Sequence, residues 1–179
     1  MSLTFVVGGS RSGKSSRAEG MARGAGLGVV YLATCRTQDL DPEMAERIRR
    51  HREDRPSHWV TVEDRFDLVN LAGEISGRLL LMDCLTLWLA HWLEVEGEVD
   101  AVLGRLKEGL AALRAHRVTA IVVSNEVGCG IVPLGSGTRA YRDLVGWANQ
   151  LMAREADHVE WIVAGIPVVI KGADRFRPD

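Results

Sequence analysis

The sequence predicts an α/β domain in three layers: a mainly parallel sheet between helices, with an antiparallel hairpin at one edge. Three observations lead there. Continuous apolar runs at 3–7 (LTFVV), 28–34 (GVVYLAT), 78–83 (RLLLMD) and 118–125 (VTAIVVSN) read as strands buried on both faces, because a strand with one wet face would alternate instead. Helical patterns separate these runs, and strand–helix alternation is the mark of parallel strands joined by crossovers. The tail VEWIVAGIPVVIK (159–171) is different, with two apolar runs split by Ala164-Gly165. That reads as a hairpin.

The remaining elements follow in order. SSRAEGMARG after the first strand is a helix candidate, and HWVTVED (58–64) is a weaker strand. Asp41-Pro42 starts a helix, with Asp as cap and Pro at the first helical position. CLTLWLAHWL, after the strand ending at Asp83, is another helix candidate. Asp100 similarly opens a helix in which Leu103, Leu106, Leu110 and Leu113 share a face. Over 138–156, Tyr141, Leu144, Val145, Ala148, Leu151 and Met152 form another such face. With 179 residues and neither repeat nor linker, residues 1–179 read as one domain.

Composition excludes several classes. A formal net charge of −2 argues against a nucleic-acid partner held on a broad basic surface. Cys35, Cys84 and Cys129 have no CxxC spacing, so neither a disulfide framework nor a structural zinc site is expected, and a reducing cytoplasm fits. MSLTFVVGG lacks the pattern of a signal peptide. The most apolar stretch, 79–93, is interrupted by Asp83 and His91. It is also shorter than the roughly 20 residues of a membrane span. A soluble protein is expected.

GGSRSGKS (8–15) satisfies G-x-x-x-x-G-K-[ST] with a strand before it and a helix after it. Glycines let backbone N–H groups curl around phosphate oxygens at the positive end of the helix. Lys14 then meets the β/γ-phosphates, and the Ser15 hydroxyl meets Mg²⁺. A second metal-side carboxylate is expected at the end of another buried strand, where Asp83 stands. Asp83 also reads as a cap for the following helix, and the two roles are compatible. The expected fold is thus that of a P-loop NTPase, RecA-like. No NKxD motif marks a regulatory GTPase, which leaves a small-molecule kinase or nucleotidyltransferase.

RIRRHREDRPSHW (47–59) sets His51 among Arg47, Arg49, Arg50, Arg52 and Arg55. Met44, Ile48 and His51 share a helix face. By spacing alone, His51 either continues that face into the core or meets a nucleotide as a nucleophile steadied by arginines.

FVVGGSRSGKSSRAE, DPEMAERIRRHREDRPSHWVTVE, LLLMDCLTLWL and VVSNEVGCGIVP together resemble the adenosylcobinamide kinase / adenosylcobinamide-phosphate guanylyltransferase family, in unchanged order over nearly the whole chain. The resemblance implies two reactions. A nucleoside triphosphate, ATP or GTP, phosphorylates adenosylcobinamide. GTP then guanylylates a histidine, and the GMP passes to adenosylcobinamide phosphate. The family's histidine matches His51, so the resemblance favours the nucleophile. It also puts nucleotide contacts on Gly8, Gly9, Ser10, Arg11, Ser12, Gly13, Lys14 and Ser15, on Ala33, Thr34 and Cys35, on Arg52, Glu53, Asp54 and Arg55, and on Glu63 and Asp83. Ser15 and Asp83 would hold Mg²⁺, with Lys14 and His51 catalytic. Some relatives carry a histidine where Arg50 stands and a glutamate where Asp83 stands.

The resemblance further implies a homotrimer, with LTLWLAHWLEVEG as a candidate contact. Trp59, Trp88, Trp92, Trp147 and Trp161 read as core or subunit contacts rather than a stacking platform. The loop NEVGCGIVPLGSGTR (125–139) is expected at the site. The alternative function is a monofunctional P-loop kinase with a structural His51.

Overall fold

A computed structural model describes residues 2–36, 46, 49, 52–53 and 55–172. Of the helix that Asp41-Pro42 would open, Asp41, Pro42, Met44, Ile48, His51 and Asp54 lie outside them. The elements are β1 (Leu3–Gly8), α1 (Lys14–Gly24), β2 (Val29–Ala33), β3 (Val60–Glu63), α2 (Leu68–Glu74), β4 (Leu79–Asp83), α3 (Leu85–Glu96), α4 (Val99–Ala115), β5 (Thr119–Asn125), α5 (Ser136–Glu155), β6 (His158–Val163) and β7 (Ile166–Lys171). They form one sheet in the order β3-β2-β4-β5-β1-β6-β7. All neighbours pair in parallel except β6 with β7.

The apolar runs are continuous because both faces of the sheet are covered. Leu80 and Met82 point into the core beneath α2 to α5, whereas Leu79 and Leu81 point toward α1, with Ala18, Met21, Ala22 and Trp59. β3 is an edge strand whose Val60 is 45% exposed, which is why its pattern is weaker. The predicted hairpin is present. Ala164 (φ 51°) and Gly165 (φ 83°) form its turn, the left-handed pair that suits a two-residue connection.

Two details differ from the sequence reading. The helix assigned to Asp100 begins at Val99, and Asp100 lies within its first turn, where its carboxylate still faces the positive helix end. A short helix, α2, was not anticipated. Asp67 caps it by accepting from the Val69 and Asn70 amides, and it buries Leu68, Leu71 and Ala72. The tryptophan-bearing α3 is largely a core element of its own subunit. Trp88 is 1% exposed, and the Trp88 and Trp92 indoles both donate to the Phe66 carbonyl, at 2.7 and 3.3 Å. The more exposed tryptophans are Trp147 and Trp161.

α1 is tied to β6 by a buried ion pair. Arg17 donates to both oxygens of Glu160 (2.9 and 2.8 Å), and the His158 Nε2 lies 3.0 Å from Oε1. Burial would raise the Glu160 pKa, but the hydrogen bonds from Arg17 and His158 outweigh it and hold the carboxyl below its ordinary value. A folded pKa below the unfolded one means the stabilisation is fully present above the ordinary glutamate range. It is lost as pH falls through the folded value. Glu160→Ala is therefore expected to cost near the low end of ~3–5 kcal/mol in urea unfolding at neutral pH, since Arg17 keeps 22% side-chain exposure and can rehydrate. Glu160→Gln should flatten the acid limb of the stability profile. An unchanged limb would show that the pair does not drive acid unfolding.

Candidate functional site

Parallel strands bring their carboxyl ends to one edge of the sheet. The register sets Glu63 beside Ala33, Ala33 beside Asp83, and Gly8 beside Asn125. Residues far apart in sequence thus stand in a row at the strand spacing of about 4.8 Å.

The loop from Gly8 to Lys14 is shaped by what its glycines permit. A Cβ on Gly8 would lie 2.6 Å from the Ile162 carbonyl oxygen, so the loop could not leave β1 as closely with any other residue. Gly13 caps α1 at φ 96°, a left-handed conformation that turns the chain into the helix. The Gly165 amide donates to the Ser12 carbonyl at 2.9 Å, so the hairpin turn braces the loop from behind. Arg11, also left-handed at φ 54°, is exposed. The Lys14 ammonium folds across the loop and donates to the Gly9 carbonyl at 2.9 Å.

A cleft of about 390 Å³ opens above this edge. Of the anticipated residues, Ser10, Lys14, Ser15, Ala33, Cys35, Arg55, Glu63 and Asp83 line it. Thr34 does not. It is 1% exposed, and its hydroxyl bridges the Cys84 amide and carbonyl, both at 2.7 Å, which clamps β2 to β4. Arg52 grips Glu63 with three contacts of 2.6 to 2.9 Å. Glu53 instead pairs with Arg49 on exposed surface. His51 and Asp54 lie outside the described residues.

Sequence reasoning missed Tyr31, Thr86 and Tyr141. The Tyr31 hydroxyl donates to Asp83 at 3.1 Å, and the Arg55 guanidinium sits 3.5 Å over the Tyr31 ring. Burial, and then the Asp83 charge, push the Tyr31 phenol far above its ordinary pKa, so it is a neutral donor that fixes the carboxylate. Among the described residues, Arg55 Nε and Nη1 are buried without a hydrogen-bond partner. A cation held in place by stacking with donors unmet is the complement of a phosphate or carboxylate. Burial and then Asp83 also raise the Cys84 thiol, which is therefore no nucleophile. Asn125 is fixed between Thr86 Oγ1 (2.8 Å) and Asn149 Nδ2 (3.1 Å), and the Tyr141 hydroxyl donates to the Thr86 carbonyl at 3.0 Å. Glu126 and Val127 carry the following loop to the rim of the cleft.

Among the described residues no group of three or more His, Cys, Asp or Glu side chains could hold a metal by itself. The Asp83 carboxylate and the Ser15 hydroxyl, the two groups expected at the metal, face the same cleft as the phosphate loop. That set fits Mg²⁺, which keeps waters and takes substrate phosphates as ligands, rather than a cation needing an all-protein cage.

Comparison with known proteins agrees with this geometry. Residues 4–170 match the family model of cobinamide kinase / cobinamide phosphate guanyltransferase. The bifunctional adenosylcobalamin biosynthesis protein CobP of Pseudomonas aeruginosa is 43% identical over 176 residues, covering 94% of this chain and 96% of that one. CobU of Escherichia coli K12, which carries the same description, is 37% identical over 183 residues, covering 94% and 99%. Among solved structures, the RadB recombinase aligns with a TM-score of 0.55 at 19% identity, over 99% of this chain and 83% of that one. A type III secretion ATPase aligns with a TM-score of 0.55 at 16% identity, over 89% and 50%. These two establish the P-loop NTPase fold and nothing more. With a family model spanning nearly its whole length and relatives of such identity, the chain belongs to the cobinamide kinase / cobinamide phosphate guanyltransferase family.

Proposed function

We propose that this protein phosphorylates adenosylcobinamide with ATP or GTP. It then transfers GMP from GTP, through a guanylyl-histidine, to adenosylcobinamide phosphate. The observation that carries this reading is the near full-length identity to a bifunctional relative. The braced phosphate loop beside the unmet Arg55 donors supports it. No observation favours the monofunctional-kinase alternative.

In both reactions the loop amides and Lys14 hold the triphosphate while charge spreads over its oxygens. Arg55 adds a fixed cation, and Tyr31 keeps the Asp83 carboxylate aimed into the cleft. Ser15 and Asp83 would hold Mg²⁺, which supplies charge neutralisation at the phosphates when bound. In the second reaction a neutral His51 nitrogen attacks the α-phosphorus. A P–N bond forms, the bond to the bridging oxygen breaks, and pyrophosphate leaves with that electron pair. The ring gives up its proton to solvent. A phosphate oxygen of the acceptor then attacks the same phosphorus and releases the histidine.

A homotrimer is part of the proposal. The apolar surface of the hairpin (Trp161, Val163, Ile166, Val168 and Ile170, each 43–67% exposed) offers a subunit contact in addition to α3. Three free cysteines suit a reducing cytoplasm, and no helix among the described residues is long and apolar enough to cross a membrane. The net charge of −2 suits small substrates rather than nucleic acid. Intact mass spectrometry after incubation with Mg-GTP tests the reading. The expected result is a gain of one guanylyl group per chain, reversed by adding adenosylcobinamide phosphate. An unmodified chain that still phosphorylates adenosylcobinamide would leave the kinase half alone.

A further inference from the structure

A second cavity of about 450 Å³ opens beside the nucleotide cleft, lined by Arg36, Asp64, Phe66, Asp67, His91 and Trp92. Three independent elements pass directly from one hollow to the other. Cys35 and Glu63 line the cleft while Arg36 and Asp64 line the cavity, and along α3 Leu87 lines the cleft and His91 the cavity. One residue, or one helical turn of about 5.4 Å, separates them at each crossing. A ligand in the cavity therefore borders the nucleotide cleft on its β2–β3 side.

The cavity is built rather than incidental. The His91 ring stacks on Phe66 with centroids 3.6 Å apart and planes at 15°, and meets Trp92 edge-on at 5.2 Å. Arg36 donates to His91 Nδ1 from Nε (3.2 Å) and Nη2 (2.7 Å), and its Nη1 pairs with Glu94 at 3.0 Å. A guanidinium has no lone pair to offer, so Nδ1 is the acceptor and the proton of the neutral ring sits on Nε2. Burial, and then the Arg36 charge, lower the His91 pKa, in keeping with a neutral ring. His91 thus presents an N–H donor beside an aromatic wall.

The charge around the cavity is acidic. Arg36, paired with Glu94, and Arg105, stacked over Trp92 and paired with Glu96, stand with Asp64 and Asp67, so acids outnumber the two guanidiniums although Asp64 has an interaction of its own. Such a place repels a triphosphate and suits a bulky ligand that is neutral or cationic, with amide groups both giving and taking hydrogen bonds. A cobalt(III) corrin with a carbanion axial ligand has those properties. Its ring is fringed with carboxamides, it carries a single positive charge, and it bears the reacting hydroxyl on a flexible arm.

We infer that the cavity between Arg36, Asp64, Phe66 and His91 is the subsite that holds the corrin end of the acceptor through its peripheral carboxamides, while the arm reaches into the nucleotide cleft. This rests on the function proposed above. Two variants test it: His91→Phe, which keeps the stack but removes the donor, and Asp64→Asn, which tolerates the left-handed backbone at φ 52° while removing the charge. Each should raise the KM for adenosylcobinamide about tenfold, with the KM for GTP within about twofold and the thermal midpoint unmoved. Equilibrium dialysis of cobinamide, followed by its visible absorbance, reads the same loss without turnover. Wild-type protein that binds cobinamide but transfers nothing to it would overturn the reaction and leave the subsite standing. Active variants with unaltered cobinamide affinity would overturn the subsite alone. A KM rise confined to GTP would give the cavity to the nucleotide base instead, and would equally overturn the inference.

Discussion

His51→Ala eliminates the covalent guanylyl adduct and the formation of adenosylcobinamide-GDP, while phosphorylation of adenosylcobinamide continues. This is the largest effect expected, a loss of at least about 10⁴-fold in guanylyl transfer, because removing a nucleophile removes the intermediate itself. The kinase reaction has no need of the imidazole, since its acceptor is the alcohol. The split between the two activities is the informative part, and a general loss of folding could not produce it. The adduct on the wild-type protein should be labile in acid and stable in base, as a phosphoramidate is. An adduct persisting in His51→Ala would move the nucleophile elsewhere, with His58 the next candidate.

Lys14→Ala, by contrast, lowers both activities together. One loop holds the triphosphate whichever phosphorus is attacked, and Lys14 is the cation anchored across it by the Gly9 carbonyl. Losing a positioned charge that stabilises phosphoryl oxygens costs about 10²–10³-fold in rate, by analogy with removing one oxyanion donor. Steady-state kinetics of each half-reaction, measured separately, check this. Wild-type guanylylation in Lys14→Ala would require a second triphosphate site.

The strands were legible because burial on both faces leaves an uninterrupted apolar run, and the phosphate loop because its glycines are dictated by backbone geometry. α2 was overlooked because it is only seven residues long, although Asp67 followed by Leu68, Leu71, Ala72 and Ile75 carries both a cap and a helical period. Thr34 illustrates what local sequence does not contain. The family resemblance puts a nucleotide contact there, but its hydroxyl is taken up by Cys84, a partner defined only once β2 and β4 are neighbours. Tyr31 is hidden for the same reason. Inside an apolar strand it reads as core, and its role at the cleft depends on Asp83 and Arg55 arriving from two other segments.

The phosphate loop has one further property, which belongs to the history of the chain rather than to its chemistry. It follows β1, and β1 is flanked in the sheet by β5 and β6, while the turn after β6 supplies the Gly165 amide that braces Ser12. During translation the loop therefore emerges well before either strand that must enclose it. Contacts so distant in sequence form late, and the chain pays their closure entropy before they return anything. A nascent chain carries GGSRSGKS without the means to shape it. The loop is thus expected to take its shape only once β6 and its turn have been added to the sheet.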